Sequence, residues 1–577
     1  MSGSRSLLKL DFSNINLLMT IAIFGALYLY QFEEAVIIIV LFALGDTLEE
    51  FGIERSQSAL KNLIEKTPKS AQVKGKEERV PIENIDIAEV VIIKPGDQIP
   101  LDGEIISGGS LVDESAITGE PLPVSKYVGN SVYAGTVNTQ GYLEVKVTKR
   151  AKDSTLAKII DLTYKSAEKK SVSQKFIEQF AKFYTPSVIF TSFLLIVIPV
   201  LIQGKPFNQW FTQALTLLII ACPCALVIST PVAIFSAIGN ATQRGVVIKG
   251  GRFIEEMGKV RAIAFDKTRT LTKGEPVVSD VVTFNDSSEE EVVACAAGLE
   301  AFSEHPIAKS IIAKAEEKEV EVHKFENFQA VPGKGLKGQC MVCLDKHHCL
   351  GSVQFVTGEH HVDGEILKKA EEFEKQGKTT IITSSDKKVK GIIGVTDEIR
   401  KESKSMVENL FKLNIIPIIL TGDNRSSAQF VASKLGIETV RASLLPDEKV
   451  EEMTKLIGKY KYVAMVGDGV NDAPALASAS VGIAMGAVGS DVAIENADIA
   501  LMNDNLTLVP YLIELGRKCV RKIRFNVTSA ILVKFLFLFL AIGGLSNLAL
   551  AIFADVGVTV LVILNSLRLY GYKEMLQ

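Results

Sequence analysis

The chain has 577 residues, 47% hydrophobic and 23% charged, with a mean hydropathy of +0.25. A net charge of −4 leaves no global basic field to recruit nucleic acid, and seven scattered cysteines do not describe a secreted disulfide scaffold. Positive hydropathy beside so many charges requires almost purely apolar stretches, which excludes disorder, collagen and coiled coil and points to a membrane protein with large soluble parts.

A bilayer-crossing helix needs about 20 largely apolar residues. Ile15–Gln31, Glu34–Leu48, Tyr184–Ile202, Trp210–Ile238, Val527–Ile542 and Leu548–Leu567 reach or approach that length. They form three close pairs, so the two long inserts between pairs share one face of the membrane. Lys9, the run Arg517, Lys518, Arg521, Lys522 and Arg524, and the final Arg568 and Lys573 place both inserts and both termini in the cytoplasm. Ser2–Leu10 is too short and polar for the apolar core of a cleavable signal peptide. The predicted organisation is spans one and two in 1–53, a β-rich domain in 54–174 and spans three and four in 175–245. A doubly wound α/β domain follows in 246–272 and 396–505, interrupted by an inserted domain in 273–395, and spans five and six occupy 506–577.

The first insert alternates apolar and polar residues, as in Gly141-Tyr-Leu-Glu-Val-Lys-Val-Thr148, and reads as strand. Its Thr118-Gly119-Glu120 is, read alone, a turn. Span four contains Cys222-Pro223-Cys224. Side chains two apart on a regular helix diverge by about 200° and cannot share an ion. Pro223 removes a backbone hydrogen bond and unwinds the helix, which brings the thiols together. Irregular backbone at membrane depth lines protein or a cavity, so the break marks a pathway.

In the second insert, Ala262–Phe265, Ile415–Leu420 and Tyr462–Val466 read as buried parallel strands, each ending in an acidic or hydroxyl-bearing turn. After the first comes Asp266-Lys-Thr-Arg-Thr-Leu-Thr272, whose Asp266 is placed to attack a γ-phosphate and form an acyl phosphate. The inserted domain carries Glu300-Ala-Phe-Ser-Glu-His-Pro306 and Gly333-Lys-Gly-Leu-Lys-Gly338, each weak alone. Cys340-Met-Val-Cys343 with His347, His348 and Cys349 has the composition of a metal cluster. The stretch reads as strand, however, where residues three apart face opposite ways, so no cluster is predicted. Thr421-Gly422-Asp423-Asn424 offers a hydroxyl and amides to phosphate oxygens, and Lys449 neutralises the transferred group. Gly467-Asp-Gly-Val-Asn-Asp472 supplies Asp468 and Asp472 as hard oxygen ligands for Mg²⁺, beside Asp266 and Thr268.

Two charges sit in the last spans, Lys534 and Asp555, each costing about 2.5–3.5 kcal/mol at the bilayer centre. Two thiolates and one carboxylate around a divalent ion sum to −1, and Lys534 brings the site to neutrality. A monovalent copper ion gains nothing from the carboxylate, so Cys222, Cys224 and Asp555 suit zinc, with cadmium and lead as competitors.

Taken in order, these motifs resemble the P-type ATPases, whose phosphorylation motif reads Asp-Lys-Thr-Gly-Thr, over nearly the whole chain. Cys-Pro-Cys with Asp555 and Lys534 resembles the zinc/cadmium/lead-exporting subgroup of the heavy-metal (type IB) class. The resemblance implies a six-helix transmembrane core and a β-rich actuator domain. It further implies a haloacid-dehalogenase-like phosphorylation domain and an inserted α+β nucleotide-binding domain. Thr118, Gly119 and Glu120 become the dephosphorylation loop, with Glu120 as general base. Glu300, Ser303, His305, Gly333, Gly335 and Gly351 become the ATP pocket, Glu34 an exit-path carboxylate and Phe42 a gate. The implied function is ATP-driven, Mg²⁺-dependent export of a soft divalent ion from the cytoplasm across the plasma membrane. A soluble metal donor is a further candidate partner, and a membrane metal sensor that keeps the fold without turnover is the rival.

Three departures accompany the resemblance. Ser352 replaces the usual Asn beside Gly351. Family members carry two more helices and a soluble metal-binding domain before the core, whereas Met1 opens on what reads as the core. Either the chain is partial, or metal reaches the entry without that platform. Arg269 stands where the motif has Gly. A bulky cation there is expected to crowd the γ-phosphate, so that Arg269→Gly raises turnover about tenfold, or ~1.4 kcal/mol of barrier. The alternatives are a side chain that points outward and a charge that holds phosphate too tightly.

Overall fold

A computed structural model describes residues 16–33, 35, 36, 39, 40, 43, 47, 68–118, 122–158, 171–221, 224–301, 303, 305–331, 334–343, 346–386, 388–469, 472–486, 491–542 and 548–573. Contacts divide the chain into one unit of 1–260, 486–504 and 511–577 and a second of 261–485 and 505–510.

The first unit opens with α1 (Asn16–Tyr28). The β-rich insert follows as β1 (Ser70–Val73), β2 (Val80–Pro81), β3 (Val90–Ile93), β4 (Gly103–Gly108), β5 (Ser110–Asp113), β6 (Val124–Lys126), β7 (Ser131–Val132), β8 (Val137–Asn138) and β9 (Leu143–Val147). One sheet runs β2-β1-β3-β9-β4-β7 and a smaller one β6-β5-β8. The period of two along β9 turns Leu143, Val145 and Val147 into the core while Lys146 stays exposed.

Helix α2 (Val172–Val197) starts where the Ser171 side chain accepts the Gln174 N–H. After it come α3 (Phe207–Ile220), α4 (Cys224–Thr242) and β10 (Val246–Ile248). The described residues of the predicted fourth span thus form two helical segments, the first closed by Ala221.

The second unit begins with β11 (Ala262–Phe265), buried at every position. The chain then leaves for an antiparallel sheet of β12 (Thr272–Thr283), β13 (Phe325–Val331), β14 (Gly335–Cys340), β15 (His347–Gly351), β16 (Thr379–Ser385) and β17 (Lys388–Ile399), in the order β12-β17-β16-β15-β14-β13. Helices α5 (Glu289–Glu300) and α6 (Pro306–Glu317) bury Val292, Val293, Leu299 and Ile311 against it, and α7 (Val353–Glu359) follows β15. Strand β12 pairs with β17 from Thr272 opposite Ile399, so the insertion leaves and rejoins the sheet domain through adjacent strands.

Back in the sheet domain the order is β18 (Ile416–Leu420), α8 (Arg425–Leu435), β19 (Thr439–Arg441), α9 (Pro446–Tyr460), β20 (Val463–Gly467) and β21 (Val481–Ala484). Strands β19, β18, β11, β20 and β21 are all parallel neighbours, so Asp266, Thr421 and Asp468 leave the same edge. This is the predicted doubly wound sheet. Covered on both faces, its strands read as continuous apolar runs.

The chain closes with β22 (Ile499–Leu501), antiparallel to β10, then α10 (Leu508–Ile542) and α11 (Leu548–Leu567). Among the described residues, Val172–Ile202, Phe207–Thr242 and Leu508–Leu540 are long and apolar enough to cross a membrane, and Phe553–Leu567 is a shorter apolar helix. α2 and α10 start well before the apolar segments at Tyr184 and Val527, because Lys, Arg, Gln and Glu continue a helix readily. Most of Glu34–Leu48, including Glu34 and Phe42, lies outside the described residues. α4 packs on α11 through Ile228, Val232 and Ile563.

Candidate phosphoryl-transfer and ion sites

Asp266 is the first residue beyond β11, and its N–H continues the ladder to the Val466 carbonyl at 2.9 Å. Its carboxylate accepts the Thr268 N–H at 3.0 Å and the Lys449 ammonium at 2.8 Å. Lys449, in the first turn of α9, also donates to Asp472 at 2.6 Å. That turn is held by Glu448, which accepts the Leu445 N–H at 2.8 Å, and by Pro446 at the first helical position. Burial, reinforced by the Asp472 carboxylate, pushes Asp266 up to about 7, against the pull of Lys449. Burial also raises Asp472, and Asp468 faces it closely enough to raise it further.

Thr421 is buried beyond β18, where its hydroxyl accepts the Asp423 N–H at 3.1 Å, and Gly422 lies between them in the turn. Asp423 accepts from the Thr268 hydroxyl at 3.0 Å and pairs with Lys267, whose ammonium also reaches Ser427 Oγ at 3.0 Å. Sequence order alone does not disclose this Lys267–Asp423–Ser427 network, although Asp423 lies inside a quoted motif. Asp266, Asp468 and Asp472 carry more negative charge than Lys449 offsets, and all offer hard oxygen. That donor set fits Mg²⁺.

In the first unit, α3 ends at Ile220, with Ala221 as its cap, and α4 begins at Cys224. Cys222 and Pro223 lie outside the described residues. Lys534 of α10 donates to Asp555 of α11 at 2.6 Å and to the Ile220 carbonyl at 3.2 Å. A helix end leaves carbonyls without intrahelical donors at the negative end of its dipole, which is where an ammonium settles. Helices α3, α10 and α11 thus meet at the Ile220 end of α3. Tyr184, Leu217, Ile220 and Lys534 line a cavity of ≈ 560 Å³ beside it.

Comparison with known proteins places the chain in a family. Residues 65–164 match the P-type ATPase actuator domain, and residues 260–480 match the haloacid dehalogenase-like hydrolases. A probable cadmium-transporting ATPase of Staphylococcus aureus (strain MRSA252) is 42% identical over 99% of this chain and 79% of its own length. A zinc-transporting ATPase of Synechocystis is 38% identical over 98% and 78%. The crystal structure of a zinc-transporting PIB-type ATPase in the E2.Pi state superimposes with a TM-score of 0.68 at 36% identity, over 99% of this chain and 92% of that one. The chain belongs to the PIB-type, metal-translocating P-type ATPases.

In this ATPase, Thr118 closes the helical turn Ser115–Thr118, its hydroxyl donating to the Glu114 carbonyl at 3.1 Å and its own carbonyl accepting from Asn503 at 3.0 Å. Gly119 and Glu120 lie outside the described residues, as does Gly333. Glu300 ends α5, raised by burial and held by a hydrogen bond from Ser303. Ser303 Oγ accepts the His305 N–H at 3.3 Å, and His305 caps α6 by accepting the Ile307 N–H. Gly335 and Gly351 sit opposite one another on β14 and β15, and the Phe355 ring lies over both, so close that an added Cβ at either would clash. Leu299, Leu336 and Leu350, the neighbours of Glu300, Gly335 and Gly351, share one core, which ties the two groups together. Ser352 is the N-cap of α7, accepting the Phe355 N–H at 3.3 Å. Ser caps as well as Asn, so that departure keeps its local role.

Arg269 has φ 59 and ψ 2, the left-handed region that its family's glycine adopts freely. Its side chain is exposed, and its Cγ lies where a Cβ on Gly274 would come within 2.2 Å. The stem thus lies over Gly274 on a strained backbone, the placement of the alternative in which the side chain leaves the loop rather than crowding the γ-phosphate. That strain is about 1–2 kcal/mol, partly offset by the entropy a glycine loses on folding. Arg269→Gly is expected to raise the melting temperature by about 1–4 °C while phosphoenzyme changes by less than about twofold. A tenfold rise in labelling would mean that the side chain does reach the nucleotide.

Proposed function

We propose that this ATPase exports zinc and cadmium, with lead as a third soft divalent cargo, through an acyl phosphate on Asp266. The observation that carries the reading is the Lys534–Asp555–Ile220 junction at the interrupted helix. It brings a carboxylate and its counter-charge to Ile220, two positions in the chain before Cys222; with the thiols of Cys222 and Cys224, that carboxylate makes the charge pattern that suits a divalent soft ion.

Metal binds Cys222, Cys224 and Asp555, displacing Lys534 from the carboxylate. ATP lies in the pocket of Glu300, Ser303, His305, Gly333, Gly335 and Gly351, while Thr421 and Gly422 hold its γ-phosphate. Asp266 attacks as the carboxylate, and Lys449 offsets charge on the transferred group. Mg²⁺ held by Asp266, Thr268, Asp468 and Asp472 supplies charge neutralisation when bound. Lys534 returns to Asp555 as the ion leaves, and Glu120, with Thr118 and Gly119, directs water onto the acyl phosphate. The apolar helices sit in the plasma membrane, with both large inserts and both termini cytoplasmic, and a soluble metal donor delivers the ion.

Acid-stable ³²P labelling from ATP is the test. Zinc, cadmium and lead should each raise labelling several-fold while copper(I) does not. Labelling that copper(I) drives as well as zinc would overturn the cargo assignment, and labelling that no metal changes would overturn the pump.

A further inference from the structure

The Cys340–Cys343 segment is not the strand that its sequence suggests. β14 ends at Cys340 and β15 starts at His347, so Met341–Cys343 form part of the hairpin turn. Without strand geometry the two sulfurs are free to face the same way, and the Cys343 N–H donates to Cys340 Sγ at 3.3 Å. Two residues remote in sequence join them. Cys295 projects from the buried face of α5, and His323 lies in the segment leading into β13. His323 Nδ1 is 3.3 Å from Cys295 Sγ, 3.3 Å from Cys343 Sγ and 3.7 Å from Cys340 Sγ, and the sulfurs of Cys295 and Cys343 are 3.6 Å apart.

We propose that Cys295, His323, Cys340 and Cys343 form a tetrahedral zinc site inside the nucleotide-binding domain, separate from the transport site. Zn–S bonds of about 2.3 Å and a Zn–N bond of about 2.0 Å imply tetrahedral edges of about 3.8 Å between sulfurs and about 3.5 Å from sulfur to nitrogen. The four separations given fall within a few tenths of an ångström of those edges; Cys295, His323 and Cys343 are mutually close, and Cys340 joins them through His323 and the Cys343 N–H. A sulfur–sulfur separation of 3.6 Å is far beyond a disulfide bond of about 2.05 Å, and all four groups are at least half-buried. Three thiols lose their S–H protons to solvent as zinc binds, leaving a centre of charge −1. Lys390, on β17, brings its ammonium to 3.8 Å from Cys343 Sγ and is anchored by Glu291 of α5 at 2.5 Å. A cation beside the coordinating sulfur is the outer-shell support such a centre calls for. His348 groups with Cys340 and Cys343 as well, but its ring packs edge-on against Phe325, and His323 is the ligand that also reaches Cys295.

The site pins α5, the lead into β13 and the β14–β15 turn at one point. α5 ends in Glu300, so the metal fixes the helix that carries a pocket residue. Sequence spacing alone points away from this cluster because half of its ligands lie outside the Cys-x-x-Cys segment.

The test uses the full-length chain in detergent, with the membrane cargo site removed by Cys222→Ser, Cys224→Ser and Asp555→Ala. After dialysis against a weak chelator, metal analysis should return about one zinc per chain, falling at least tenfold when Cys295→Ser and Cys343→Ser are added. Cobalt(II) added to the chain with the cluster intact should give the intense visible bands of tetrahedral cobalt with sulfur-to-metal charge transfer, a readout independent of how the serine variants fold. A cluster-intact chain that holds no zinc, a cobalt spectrum without charge transfer, or a Cys295–Cys343 disulfide in protein isolated under reducing conditions would each overturn the site.

Discussion

Asp266→Asn should eliminate the acid-stable phosphoenzyme, a loss on the order of 10³-fold or more, because a neutral amide cannot attack phosphorus. The same change should stabilise the protein in the absence of divalent ions. Asp266 is pushed up to about 7 by burial and by Asp472. Its charged form is therefore disfavoured in the folded state, and the folded protein binds a proton that the unfolded chain has released above about pH 4. Stability is lost as pH rises from about 4 through 7, and asparagine escapes that loss. Lys449 keeps Asp472 at 2.6 Å in the variant, so no buried ammonium is orphaned. In EDTA, the melting temperature of the Asn variant should exceed that of the parent by a few degrees at pH 8 and converge with it near pH 4. A difference that ignores pH, or residual acid-stable label, would refute the account of this carboxylate.

Asp555→Ala should lower zinc-stimulated ATP hydrolysis on the order of 100-fold. It removes a proposed ligand and takes from Lys534 the carboxylate it holds at 2.6 Å. Breaking a buried pair by deleting one member costs about 3–5 kcal/mol, so Asp555→Asn serves as the milder companion. Phosphorylation from inorganic phosphate, which uses Asp266 and not the membrane carboxylate, should persist in both. Cys343→Ala, by contrast, should leave the zinc concentration for half-maximal stimulation where it was. A comparable rise in the half-maximal zinc concentration in Asp555→Ala and Cys343→Ala would mean that the transport site is misplaced.

Much of this ATPase is legible from sequence because its determinants are local. Hydrophobic length marks spans, and the continuous apolar runs at 262–265, 416–420 and 463–466 mark parallel strands covered on both faces. Asp266, Thr421 and Asp468 each follow such a strand directly, so parallel pairing alone sends them to one edge. The chemistry of residues adjacent in the chain likewise needs no tertiary information. Helix starts are less legible, as α10 shows, since charged residues extend a helix without adding hydropathy. What only the tertiary structure decides is which distant groups meet. Lys534 reaches the Ile220 carbonyl across 314 positions, Lys267 pairs with Asp423, and Cys295 and His323 close on a turn that its sequence presents as strand. Arg269 makes the same point for a single residue. Sequence identifies a glycine position filled by arginine, but the direction of the side chain depends on a left-handed backbone and on the bare face of Gly274 five residues on. Contacts of this kind are set by packing and loop closure, which act through space and leave no periodicity in the chain.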